Sequence, residues 1–109
     1  MPILRDSFPP NRAPRLKTLI ILYQMHEIPI EDSIDLHTFQ PAEIRIVVEE
    51  YLYQAVQKGF SEVRIIHGRG IGVQREIVRS ILEKHPNVAG FRDSPDRGST
   101  YVTLIDLSA

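Results

Sequence analysis

Between Pro41 and Gly59 the apolar residues Ile44, Val47, Val48, Tyr51, Leu52, Ala55 and Val56 recur at three- and four-residue spacing, the period of a helix with one buried face. Pro41 suits the first turn, where its missing N–H would go unpaired anyway, and Gly59 suits the stop. What flanks this helix restricts the fold further. Before it, Ser33-Ile34-Asp35-Leu36-His37 alternates polar and apolar, the period of a strand, with Ile34 and Leu36 on one face and Asp35 and His37 on the other. After it, Val63, Ile65 and Ile66 form a short apolar strand that runs into His67-Gly68-Arg69-Gly70-Ile71-Gly72. A strand-helix-strand unit crosses over right-handed, so these two strands are expected to be parallel neighbours. A second helix is read through Val73, Ile77, Val78, Ile81 and Leu82 and is ended by Pro86. Two last strands, about 88–92 and 100–107, flank the turn-rich Asp93-Ser94-Pro95-Asp96-Arg97-Gly98 and read as an antiparallel hairpin. The expected fold class is α/β: a two-layer β-α-β-α-β-β sandwich with a mixed four-stranded sheet and both helices on one side.

The remaining properties fit one such domain. The chain has 109 residues, 42% hydrophobic and 25% charged, with no cysteine, so neither disorder nor a disulfide scaffold is indicated, and thiolate chemistry is excluded. The longest apolar run, Leu19 to Tyr23, is far short of the roughly 18 residues of a membrane span, and no secretory leader is read. A cytoplasmic location is expected. Residues 1–32 are read as an N-terminal extension: a tail rich in proline and arginine, followed by an apolar segment over 17–25 that is expected to cover the uncovered sheet face. Residues 33–109 are read as the domain.

Charge is unevenly spread. The net of −1 comes from 13 basic and 14 acidic residues, and on its own it argues against a surface coated for nucleic acid. Residues 1–20 carry +3, residues 21–57 carry seven acids against Arg45 alone, and residues 58–109 carry +2. A local cleft can therefore be positive although the whole is not.

In open α/β sheets ligands bind outside the carboxyl ends of the parallel strands, where helix amides are also aimed. That rule selects Asp35 and His37 after the first strand and His67 with its glycine loop after the second. Glycines at 68, 70 and 72 let backbone approach a phosphate, Arg69 adds a planar charged donor, and Arg75 and Arg79 extend positive charge along the helix. The expected ligand is a phosphodiester.

These residues resemble a family. Ile34-Asp35-Leu36-His37 resembles the first motif of the Smr (small MutS-related) domains, L-D-L-H-G, and His67-Gly68-Arg69-Gly70-Ile71-Gly72 resembles their second, H-G-x-G-x-G. The closing Gly98 to Leu104 is similar to the family's final glycine-then-strand segment, so the resemblance spans about 33–107, and the glycine that follows the first histidine is Thr38 here. The resemblance is to a stand-alone member. It implies a fold similar to the carboxyl domain of translation initiation factor three. It also implies endonuclease activity, either DNA nicking or RNA cleavage, with nucleic acid and in some members the ribosome as partner.

The residue types permit a mechanism. RNA offers its own 2′-hydroxyl as nucleophile, which calls for a general base, a proton source for the leaving group and donors for the phosphorane. The expected catalytic set is Asp35, His37 and His67, with His37 as base or acid and Asp35 orienting it. The expected phosphate-binding set is Gly68, Arg69, Gly70, Gly72, Arg75 and Arg79. No resident metal or cofactor is expected, a divalent metal entering only if the substrate is DNA, which lacks that hydroxyl. Two other readings of the same residues are a two-histidine, one-carboxylate metal site and a non-catalytic nucleic-acid or ribosome binding module. His26 and His85 are read as exposed and structural, and Glu43, Glu49 and Glu50 as a solvated helix face. A monomer or weak homodimer is expected, binding nucleic acid weakly and with strong dependence on salt.

Overall fold

A computed structural model of the protein describes Tyr23 and residues 30–68 and 72–106. In chain order the elements are β1 (Ser33–Asp35), α1 (Pro41–Gln57), β2 (Glu62–Ile66), α2 (Val73–Lys84), β3 (Val88–Asp93) and β4 (Ser99–Leu104). The four strands form one sheet in the order β1-β2-β4-β3. β1 runs parallel to β2, with Asp35 opposite Ile66. β4 lies antiparallel to both β2 and β3. The expected mixed sheet is therefore present, and the hairpin β3-β4 is inserted so that its second strand, not its first, meets β2. Apart from Tyr23, the apolar segment expected over 17–25 and the tail before it lie outside the described residues.

Alternation along each strand decides which face is covered. Val63 and Ile65 of β2 and Val102 and Leu104 of β4 point to one side and join Leu36, Ile44, Val47, Val48, Leu52, Val78, Ile81 and Leu82 in a single buried cluster. Both helices thus cover one face, since their buried residues belong to that cluster. Burying a side chain of this size contributes roughly 1.5–3 kcal/mol, so the cluster dominates the stability of the domain. Glu62, Arg64, Tyr101, Thr103 and Arg92 alternate with these residues and lie on the other face, outside the core. The register shifts between Val88 and Gly90, a bulge early in β3.

Local chemistry explains the boundaries. α1 begins at Pro41, and the Glu43 carboxylate reaches back to accept the Gln40 N–H at 2.9 Å. At its far end the Phe60 N–H meets the Ala55 carbonyl at 3.1 Å and the Gly59 N–H meets that of Val56 at 3.0 Å, a Schellman closure that requires the left-handed φ of +84° found at Gly59. Phe60 then packs against the core. α1 departs from the expected pattern on one side: Glu43 and Glu50 are buried, at 3% and 5% exposure. The buried arc of α1 includes a second stripe of Glu43, Val47, Glu50 and Gln54, because the helix packs against α2 as well as against the sheet. Glu49 is half-buried, beside Arg45 at 3.3 Å. His85 is half-buried and not exposed. Its Nδ1 accepts the Asn87 N–H at 3.1 Å, and burial lowers its pKa.

Candidate active site

The two parallel strands end side by side. The Leu36 N–H donates to the Ile66 carbonyl at 2.8 Å, which fixes Asp35 and His37 at the same sheet end as His67. β1 stops at Asp35 because its side chain takes over as hydrogen-bond partner. Oδ1 accepts the His37 backbone N–H at 3.0 Å and lies 2.8 Å from the His37 Nδ1, a turn closed by an aspartate on the residue two further on. The backbone N–H first, and the imidazole second, lower the Asp35 pKa. The pair is open: the His37 side chain is 70% exposed and that of Asp35 47%. A carboxylate only accepts, so Nδ1 carries the proton in the neutral ring and Nε2 is left basic. Thr38 follows, exposed in the same turn.

His67 is built differently. It is 6% exposed, its Nδ1 lies 3.1 Å from the Gly68 carbonyl and its Nε2 lies 2.9 Å from the Thr100 Oγ1. A carbonyl cannot donate, so Nδ1 donates to it and in the neutral ring Nε2 accepts the threonine hydroxyl. The sequence reading put His37 and His67 in one catalytic set; the geometry makes one open and the other enclosed.

The loop after β2 is tied to its surroundings from both ends. The Gly98 carbonyl accepts the N–H of His67 at 3.1 Å and of Gly68 at 2.9 Å, so the β3–β4 turn holds the start of the loop and the Gly68 amide is already engaged. Gly68 and Gly72 have φ of +83° and +85°, conformations that a side chain would strain. Arg69 and Gly70 lie outside the described residues. At the start of α2 the Gln74 amide donates to the Phe39 carbonyl at 2.9 Å, tying the loops after β1 and β2 together.

Arg75 and Arg79, read as phosphate-binding, both face Asp93. Arg75 bonds its carboxylate through Nη2, and Arg79 Nη1 lies 3.5 Å from the same oxygen. Arg75 also approaches Glu76 at 3.6 Å, and Arg79 sits 5.7 Å over the Phe91 ring. The Arg75 hydrogen bond is the main cause of a lowered Asp93 pKa, with Arg79 and His67 adding to it. A phosphate would have to compete with this carboxylate. Arg97, read as part of the hairpin turn, sits beside Gly98 with a left-handed φ of +62°. Among the described residues no group of three or more histidines, aspartates and glutamates is gathered as for a metal ion, so Asp35, His37 and His67 are not brought together as the metal triad considered above.

The profile of the Smr domain matches residues 34–108. The chain belongs to the Smr domain family. Its Smr domain is 38% identical over 79 residues to the endonuclease MutS2 of Caldicellulosiruptor bescii, a match covering 72% of this chain and 10% of that protein. The chain thus spans about a tenth of the length of the curated relatives it matches. The crystal structure of the Smr domain of Thermus thermophilus MutS2 is 32% identical, with a TM-score of 0.64 over 67% of this chain and 96% of that one. YdaL, a stand-alone small MutS-related protein from Escherichia coli, shares the fold at a TM-score of 0.64, covering 89% of this chain and 80% of its own, with 24% identity. In this Smr domain the first motif straddles the end of β1, and the second begins at His67, immediately after β2. No helix among the described residues is long and apolar enough to cross a membrane.

Proposed function

We propose that this Smr domain cleaves phosphodiester bonds of nucleic acid, with His37 moving the proton and Asp35 holding its ring. The observation that carries the reading is the 2.8 Å contact between Asp35 Oδ1 and His37 Nδ1 on an open sheet end. A carboxylate behind one ring nitrogen fixes the tautomer and stabilises the imidazolium that forms, and it leaves the other nitrogen for substrate. The names of the relatives, endonuclease MutS2, agree with this class of chemistry.

On RNA, His37 Nε2 removes the 2′-hydroxyl proton and the 2′ oxygen attacks the adjacent phosphorus. The bond to the 5′ oxygen breaks, and that oxygen leaves with a proton from water. The products are a 2′,3′-cyclic phosphate and a 5′-hydroxyl end. On DNA the nucleophile must be water, and a divalent metal would supply it. The buried His67 is a positioning residue in this scheme: its two hydrogen bonds hold Gly68, the first residue of the glycine loop, and Thr100. Arg69 and the loop amides beyond Gly68 would face the phosphate.

The test is incubation of the protein and of His37→Ala with labelled single-stranded RNA and with supercoiled plasmid, each with and without chelator. Chelator-resistant RNA cleavage giving cyclic phosphate ends, absent in His37→Ala, is the expected result. Cleavage retained in the variant removes the assignment. Binding of the same RNA with no cleavage by the unmodified protein favours a binding module.

A further inference from the structure

The face of the sheet away from the helices carries a row of side chains unlike a plain solvated surface. Ser33, Arg64, Tyr101 and Arg92 stand directly opposite one another across the strand order β1-β2-β4-β3. The two guanidinium groups flank one ring: Arg92 lies 4.9 Å and Arg64 5.7 Å from the Tyr101 centroid. Arg64 Nε donates to the Ser99 Oγ at 2.9 Å, which fixes the plane of its guanidinium. The Arg92 side chain remains 61% exposed while bonding Glu62 at 3.0 Å. Between β1 and β2 this row borders a shallow depression of about 260 Å³ lined by Asp32, Ser33, Glu62, Arg64 and Tyr101.

Planar groups and carboxylates are what an unpaired base uses. Bases stack on tyrosine rings and on guanidinium planes, and their exocyclic amines donate to carboxylates. A bare anion would be repelled by Asp32 and Glu62, and an apolar segment would leave their charges without solvent. The row also continues into the proposed site. Asp35 lies on the same face as Ser33, two residues further along β1, or about 6.6 Å at the rise of a strand.

We propose that this depression holds an unpaired nucleobase against Arg64 and Tyr101, so that the substrate class is single-stranded nucleic acid threaded across the sheet face opposite the helices toward Asp35 and His37. The inference rests on the cleavage reading above and adds to it the choice of strand state. Paired bases cannot enter the depression, because their planes are stacked within the duplex.

The test uses the full chain and a labelled oligoribonucleotide, supplied single-stranded and as a blunt duplex, at several salt concentrations. The single strand is expected to bind more tightly. Tyr101→Ser should weaken single-strand binding about tenfold and leave duplex binding unchanged. Tyr101→Phe, which keeps the ring, should bind as the unmodified protein does. Arg64→Lys keeps the charge and loses the plane, so its affinity should fall several-fold with an unchanged salt slope. Equal affinity for both strand states, or unaltered binding by both Tyr101→Ser and Arg64→Lys, overturns the proposal while leaving the cleavage reading intact. Self-association that Tyr101→Ser abolishes, with RNA binding unchanged, assigns the face to a second copy and overturns it too. Failure of the unmodified protein to bind or cut either strand state defeats both readings.

Discussion

Two histidines stand at one end of one sheet and have little else in common. His37 is open, with a carboxylate behind one nitrogen and a side chain 70% exposed. His67 is enclosed, with both nitrogens engaged and within electrostatic reach of Asp93, the carboxylate that pairs with Arg75 and Arg79. A proton can be exchanged with a ligand only from the first arrangement. The second gives up that freedom and holds a loop in place. Side-chain type does not distinguish the two; the residues that fill the remaining hydrogen-bond positions do.

The largest effect that would break this division is on cleavage. His37→Ala should lower the rate roughly 10²- to 10⁴-fold, the usual worth of a positioned general acid or base, while stability moves by no more than about 0.5 kcal/mol. Single-turnover RNA cleavage with urea melts on the same samples checks both. His67→Ala should do the reverse first: loss of its hydrogen bonds leaves the Thr100 hydroxyl without its buried partner, costing about 1–3 kcal/mol in a urea melt. A fully stable His67→Ala that has lost cleavage would place His67 in the chemistry and end the contrast.

Carboxylates sharpen the same comparison through pH. Asp35 and Asp93 both have pKa values below the ordinary 3.8, so each favours the folded state above that value, and the advantage is lost as pH falls through the folded value. Asp93 is three-quarters buried among arginines, whereas Asp35 is half exposed and more screened by water. Asp93→Asn is expected to flatten the acid side of a plot of stability against pH, and Asp35→Asn to leave it nearly unchanged. Equal flattening by both would mean that the exposed pair also holds the fold. The smallest effect is at the turn that grips the His67 loop. Arg97→Gly relieves a left-handed φ and should raise stability by up to about 1 kcal/mol, measured by thermal melting, with no change in the fold of the loop.

Much of the fold was legible because its elements have clear periods. The α1 stripe, the alternation in β1 and β2, and the proline and glycine boundaries are local properties of the chain, and they appear within a residue or two of their expected ends. Glu43 and Glu50 were misread because one helical period describes contact on a single side, whereas α1 is packed on two. The site was legible as far as the strand-end rule reaches: Asp35, His37 and His67 share a sheet end because parallel strands finish together. Arg75 and Arg79 could be placed on a helix but not assigned a partner, since Asp93 arrives from a strand 18 residues beyond Arg75.

The sequence by itself determined the two-layer α/β fold, the pairing of β1 with β2 and the gathering of both motifs at one edge, because periodicity and crossover handedness are properties of the covalent chain. Tertiary structure alone decided which histidine is open, which cations are already paired, and that Arg64, Tyr101 and Arg92 line up across three strands. Those outcomes depend on contacts between residues far apart in the chain, whose geometry exists only after the sheet has assembled.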